Sequence, residues 1–440
     1  MGRNMTQGSI ARALVLFTVP LVLSGMLQQI FNWVDAFIVG NVEGELALAG
    51  IGAVTSTCNL FITVIVGFTS GLSVLSAQQY GRGEAGELKQ SLAAFSLLLS
   101  FVFLITAALG MAFTSGILTL MDTPANIFDV SRSYLSIMFA GLPFLAVYNT
   151  YSAILRGLGD SRAPFLSVLV CSLFNAGLDV LFVVVFRWGA AGAAGATVIS
   201  QAAMTIFIVY YTAVKYPFLR YRLSRESLSR GALARGSHFG LPPAIQSGTV
   251  SFGNMLLQRF MNGFGDHTVA AITTAYRVDS LLILPIINFG SGVATVVAQN
   301  IGAQNPERAR KALKTGAVMI AGVSLCLTLF ILLAGEFLIA MFGLTPESVS
   351  IGKTFFRTIA SCYIFYGLAM AVRGYLEGLG DMTFSGAAGI ASLVVRILFS
   401  YAFSEPFGRM VIAYAEAVSW LTLLGIYLAR YTWKSRKTAK

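Results

Sequence analysis

The sequence predicts an all-α polytopic membrane protein, with twelve transmembrane helices in two parallel six-helix repeats, an N-lobe and a C-lobe, around a central cleft. Three observations carry this. First, 56% of the 440 residues are hydrophobic and only 11% are charged, whereas soluble domains carry about 25% charged residues. That composition excludes a water-soluble globular enzyme. Second, twelve apolar runs are long enough to cross a hydrocarbon core, which takes about 20 residues per helix. Third, the second half of the chain repeats the first at a constant offset.

The runs are 11–39, 47–77, 91–113, 130–155, 163–186, 190–214, 239–264, 269–298, 312–334, 351–372, 384–403 and 411–428. Each is expected to be helical, because lipid offers no partner to an unpaired backbone group. No alternation of outward apolar and inward polar residues suggests a barrel. The first run is too long for a signal peptide and is interrupted by Gln28, Gln29, Asn32 and Asp35. Glycine, at 44 residues, suits close helix packing in lipid. Cys58, Cys171, Cys326 and Cys362 lie far apart inside apolar runs, which reads as inert thiols without metal spacing.

Orientation follows from Lys and Arg. With the N-terminus inside, the inner segments hold most of the 30 basic residues, among them Arg82, Lys89, Arg308, Arg310, Lys311, Lys314 and the tail after Arg430, while Arg187 and Arg409 lie outside. This predicts a multi-pass protein of the inner or plasma membrane with both termini cytoplasmic. The net charge of +11 then belongs to cytoplasmic loops and implies no nucleic-acid partner.

The longest polar stretch, 215–238, divides the chain. The expected organisation is an N-lobe of six helices over 1–214, a cytoplasmic inter-lobe loop over 215–238, and a C-lobe of six helices with a short basic tail over 239–440. At a shift of 221, Gly71 meets Gly292, Gln78 meets Gln299, and Gly157-Leu158-Gly159-Asp160 meets Gly378-Leu379-Gly380-Asp381. Near the start of each half, at a shift of 222, Phe17 meets Phe239 and Pro20 meets Pro242. Six helices per copy make the repeats parallel, related by an axis along the membrane normal.

Ionisable residues at membrane depth are functional candidates by default. Gln28, Asn32 and Asp35 share one helical face, as do Asn175 and Asp179, and Thr197, Tyr134 and Asn149 add polar groups on neighbouring runs. The acids could merely lock the bundle through hydrogen bonds. The repeat argues for a site instead: Asp35 falls on Leu256 or Leu257, Asp179 on Ser400, Thr197 on Val418 and Asn175 on Arg396. In the second half, Arg259, Arg277, Asp279 and Arg396 suggest a C-lobe network, either a structural ion-pair set or a substrate or coupling site. No GxxxxGK[ST] is present, and His238 and His267 sit at loop edges, so neither ATPase nor zinc chemistry is expected.

FNWVDAFIVG at 31–40, the Gln-Gln-Tyr-Gly after the second run, and RGLGDSRAPF at 156–165 resemble the multidrug and toxic compound extrusion (MATE) family, over nearly the whole chain. Asn175 and Asp179 followed by Thr197 look like its prokaryotic DinF-like branch. The absence of an acid between Phe239 and Phe264 is unlike the sister NorM branch. By that resemblance, Asp35, Asn175, Asp179 and Thr197 would form a cation site, a possible Na⁺ site, with Tyr134, Asn149, Gln28 and Asn32 as its polar surround. The resemblance implies a secondary antiporter exporting lipophilic, often cationic compounds in exchange for H⁺ or Na⁺ by alternating access. It implies a monomer in the lipid bilayer, with no cofactor beyond the coupling ion and no enzymatic activity. A lipid-linked sugar flippase of the same superfamily is the alternative. It should show a basic cleft, where the first repeat here is acidic. A membrane-embedded enzyme would need a catalytic constellation that the sequence does not offer.

Overall fold

The computed structural model describes residues 4–222 and 229–438; residues 223–228 of the expected inter-lobe loop lie outside them. Every regular element among the described residues is helical. The first half contains α1 (Ile10–Glu43), α2 (Glu45–Arg82), α3 (Ala85–Leu120), α4 (Ala125–Gly157), α5 (Arg162–Asp179) and α6 (Gly189–Lys215). A π-helical stretch, Val180–Val185, continues α5. The second half contains α7 (Arg230–Asn262), α8 (Asp266–Leu282), α9 (Leu284–Gly302), α10 (Pro306–Ala340), α11 (Pro346–Ser361), α12 (Tyr363–Gly378), α13 (Met382–Ala402), α14 (Ser404–Phe407) and α15 (Val411–Thr438). The pairs α8–α9, α11–α12 and α14–α15 each make one span, and the protein is a twelve-span helical membrane protein of two six-helix repeats. Large apolar side chains stand outward, Leu120 at 87% exposure and Leu333 at 79%, as lipid-facing surfaces require.

Several expected boundaries move. The apolar run 269–298 is interrupted at Ile283, just before the first-turn Pro285 of α9, since proline has no N–H with which to continue the hydrogen-bond ladder of α8. The run 351–372 bends by 43° at Cys362. The expected loop 215–238 is partly ordered: a 3₁₀ turn covers Pro217–Leu219, and α7 begins at Arg230 rather than Phe239. Hydropathy cannot see such a start, because Arg230, Arg235 and His238 suit a helix that extends past the lipid.

The chain divides into two compact units. One contains Leu23–Ala244, the other Asn4–Val22 with Ile245–Lys440. The division therefore falls inside α1 and inside α7, at equivalent points: Val22 and Ala244 are 222 residues apart, as are Pro20 and Pro242. Proline inside a helix removes a backbone donor and is a natural place for two half-helices to part company. Each repeat's opening half-helix thus packs with the other repeat.

In the first unit, α4 is central and packs on α2, α3 and α6. Phe68, Phe95, Phe103 and Phe139 fill its core. In the second unit, α12 takes the corresponding role against α9, α10 and α15, around Phe355, Phe356, Tyr363 and Leu376. The repeated glycines serve the same contact twice. A Cβ at Gly71 would overlap the Phe239 carbonyl at the start of α7, and one at Gly292 would lie 2.9 Å from Thr18 Oγ1 at the start of α1.

Candidate functional site

The site lies within the first unit, where α1, α4, α5 and α6 bring their polar residues together. Asp179 is the last α-helical residue of α5, and the π-helical stretch begins at the next position. Such a change of register is a common device at functional sites. Here it falls at the carboxylate itself. Asp179 is fully buried and Asn175, one turn earlier, is 1% exposed.

The Asp35 carboxyl, from α1, lies within hydrogen-bonding reach of Asp179. The Asn175 amide, oriented to satisfy its neighbours, donates to Asp179 Oδ2 at 2.5 Å and accepts from the Thr197 backbone N–H at 3.2 Å. Thr197 is buried beside it. One oxygen of each acid, Asp35 Oδ1 and Asp179 Oδ1, is buried without a hydrogen-bond partner among the described residues. Among the described residues, the ion pairs of this unit are elsewhere, at Arg82–Glu84, Lys215–Asp160 and Arg235–Glu87. Two adjoining carboxyls without a basic partner among the described residues, beside neutral oxygens, suit a proton or a hard cation that prefers oxygen ligands.

The polar surround is uneven. Tyr134 is buried close enough to sense both carboxyls. Asn149 is buried but donates to Leu145 O of its own helix at 2.8 Å. Gln28 and Asn32 precede Asp35 on α1 and are exposed.

In the second unit two of the four expected members, Arg396 and Asp279, have side-chain partners, in two separate sets. Arg396 Nη2 donates to Glu416 Oε2 at 3.0 Å and to the Tyr276 hydroxyl at 2.8 Å, and Tyr276 donates to Glu416 Oε2 at 2.7 Å. The Tyr363 hydroxyl donates to Asp279 Oδ1. Arg259 and Arg277 are exposed and stand outside both sets. The tyrosines carry no charge or motif that marks them in sequence; only the fold brings them to the acids.

The MatE family model matches residues 20–181 and 242–402, two stretches that begin 222 residues apart. A probable multidrug resistance protein, YpnP of Bacillus subtilis, is 30% identical over 439 residues, covering 99% of this chain and 98% of that protein. A FAD transporter of Shewanella oneidensis is 24% identical over 315 residues, covering 70% and 69%. Among solved structures, an outward-facing multidrug resistance MATE-family transporter of the MOP superfamily superposes with a TM-score of 0.92 at 21% identity, over 100% of this chain and 99% of that one. A MOP-superfamily transporter from Pyrococcus furiosus superposes at 0.91 with 20% identity, over 99% and 98%. The second-repeat match to the same family model repeats the duplication read from the sequence. The chain belongs to the MatE family of multi-pass membrane transporters, and it is not an enzyme.

Proposed function

We propose that the protein is a secondary antiporter that exports lipophilic, often cationic small molecules in exchange for H⁺ or Na⁺ by alternating access. The single observation that supports this is the Asp35–Asp179 pair, set beside Asn175 and Thr197 with no basic partner among the described residues. Two like charges within hydrogen-bonding reach in a low-dielectric interior repel strongly, and a shared proton or cation relieves the repulsion. Such a pair titrates as a unit. Occupied, it is neutralised; vacated, it attracts the next cation. Moving one charge across the membrane potential is worth about 2.3 kcal/mol per 100 mV, which suffices to drive uphill export.

We further infer a plasma-membrane monomer with both termini cytoplasmic, supported by the basic residues at the expected inner segments. Relatives named as multidrug resistance proteins support small-molecule cargo. Purified protein in sealed proteoliposomes tests the function. Imposed pH and Na⁺ gradients, applied separately, should each be compared for their power to drive efflux of a lipophilic cationic dye. Gradient-dependent dye efflux is expected with at least one ion. Dye movement that ignores both gradients would overturn antiport.

A further inference from the structure

A second charged feature lies in the second unit, where α10 meets the start of α1. A pocket of 470 Å³, open to the surface, lies there, lined by Ser9 just before α1, by Ile10 and Ala11 at its start, and by Arg308, Lys311 and Lys314 from the first turns of α10. Among the described residues no acid lines it. Arg308 is structurally engaged. Its Nη2 donates to Gly8 O at 2.8 Å, and its Nε and Nη2 reach Met5 O at 3.4 Å. That fixes the segment leading into α1. Lys311 and Lys314 are exposed, and neither has an ion pair or hydrogen bond among the described residues.

The backbone adds donors to the same space. The first N–H groups of a helix have no intrahelical acceptor. Ser9 Oγ takes the Arg12 N–H, at 3.4 Å, and Ser9 O takes that of Ala13, at 3.1 Å. The Ile10 and Ala11 N–H groups remain at the positive end of a 34-residue helix.

The repeat supplies a control. In the first unit, α3 meets the start of α7 as α10 meets the start of α1. There Glu87 stands at the position of Arg308, Gln90 at Lys311 and Ala93 at Lys314. Glu87 closes the contact by pairing with Arg235 at 3.1 Å. The same fold therefore forms this corner around an ion pair, with an acid where the second unit has Arg308. The second unit reverses the charge at 308 and places two lysines beside an open pocket.

We propose that this cavity is a binding site for a phosphate group, held by Lys311, Lys314 and the α1 N-terminus. Helix N-termini and ammonium groups together are an ordinary phosphate cradle. A lipid headgroup and a free phosphate share that chemistry. The bound group would bridge α10 to the α1 segment that Arg308 already holds, strengthening the attachment of α1's opening half-helix to its unit.

The test is the thermal midpoint of the purified full-length protein in neutral detergent, titrated separately with phosphatidylglycerol, phosphatidylcholine and inorganic phosphate. Lys311→Gln/Lys314→Gln is compared with wild type and with Lys89→Gln/Arg436→Gln, which removes two exposed charges elsewhere. Wild type and control should be stabilised selectively by phosphatidylglycerol over phosphatidylcholine. The Lys311/Lys314 variant should keep its midpoint in phosphatidylcholine and require roughly tenfold more phosphatidylglycerol for the same shift. Lys314→Gln alone should fall between the two. A shift produced equally by inorganic phosphate and lost in the same variant assigns the site to the soluble ion. An undiminished phosphatidylglycerol shift in the double variant overturns the proposal, as does the absence of any selective shift with either phosphate source.

Discussion

Lys215 Nζ donates to Asp160 Oδ2 at 2.9 Å, tying the end of α6 to the turn between α4 and α5. The second repeat does the same: Asp381, 221 residues on, bonds Arg430 Nε at 2.8 Å and pairs with Lys434 at 2.9 Å on α15. The repeated Gly-Leu-Gly-Asp is thus a turn and an anchor. Gly159 and Gly380 take φ of +78° and +88°, which glycine adopts without strain. The aspartate that follows clasps the last helix of its repeat. The Tyr211 and Tyr216 hydroxyls also donate to Asp160, at 3.2 and 2.7 Å, and its Oδ1 caps α5.

Asp160→Ala should therefore lower stability by about 2–4 kcal/mol, since several hydrogen bonds to one buried carboxylate are lost together. Burial pushes the Asp160 carboxyl up, but hydrogen bonds from Lys215 and Tyr216, with the Lys215 charge, hold it below its ordinary value of 3.8. The folded state thus binds its proton less readily than the unfolded chain. The stabilisation is present above pH 3.8 and is lost as pH falls through the lower folded value. Thermal midpoints in detergent should show wild type converging on Asp160→Ala in acid; parallel curves down to about pH 3 would refute the anchor.

Gly71→Ala should disrupt the packing of α2 on the start of α7 by several kcal/mol, because the new Cβ meets backbone that cannot rotate away. Gly52→Ala, also on α2, meets nothing within 4 Å and should be neutral or mildly stabilising. Expression and detergent midpoint separate them. Equal behaviour of the two variants would contradict the close approach read from Gly71.

Much of this architecture is legible in sequence because lipid enforces it. Apolar runs mark the spans, and Pro20 and Pro242 sit beside the points where the two units divide. The breaks at Ile283 and Cys362 are harder, since hydropathy is continuous across a bent span. The site divides in the same way. Asn175 and Asp179 share a face by simple i, i+4 spacing, and Thr197 follows on the next helix. Helical spacing also groups Gln28 and Asn32 with Asp35, yet they are exposed while Asp35 Oδ1 is buried. Tyr276 and Tyr363 find their acids only through tertiary packing.

Arg396→Gln should cost about 3–5 kcal/mol in stability, because it leaves Glu416 buried without its ion-pair partner. Ion dependence of transport should change little, since the N-lobe carboxyls are untouched. A stable Arg396→Gln protein that has lost ion dependence would move the coupling site to the second repeat.

Topology is tested by single-cysteine labelling in intact cells, in a background without the four native cysteines. An impermeant reagent should reach a cysteine at Asp266, at the start of α8, and should not reach one at Ser229, just before α7. Labelling at 229 in sealed cells would reverse the assigned orientation.

The central claim is that Asp35 and Asp179 couple ion entry to export. Its most direct test is ion-gradient-driven dye efflux from proteoliposomes containing wild type, Asp35→Asn, Asp179→Asn or Thr197→Ala, each first shown to be folded by its detergent midpoint. Asn preserves shape and removes charge. Both Asp variants should lose gradient-driven efflux, and Thr197→Ala should weaken it less, since one neutral ligand is lost. Asp179→Asn that exports at the wild-type rate with wild-type ion dependence would contradict the account.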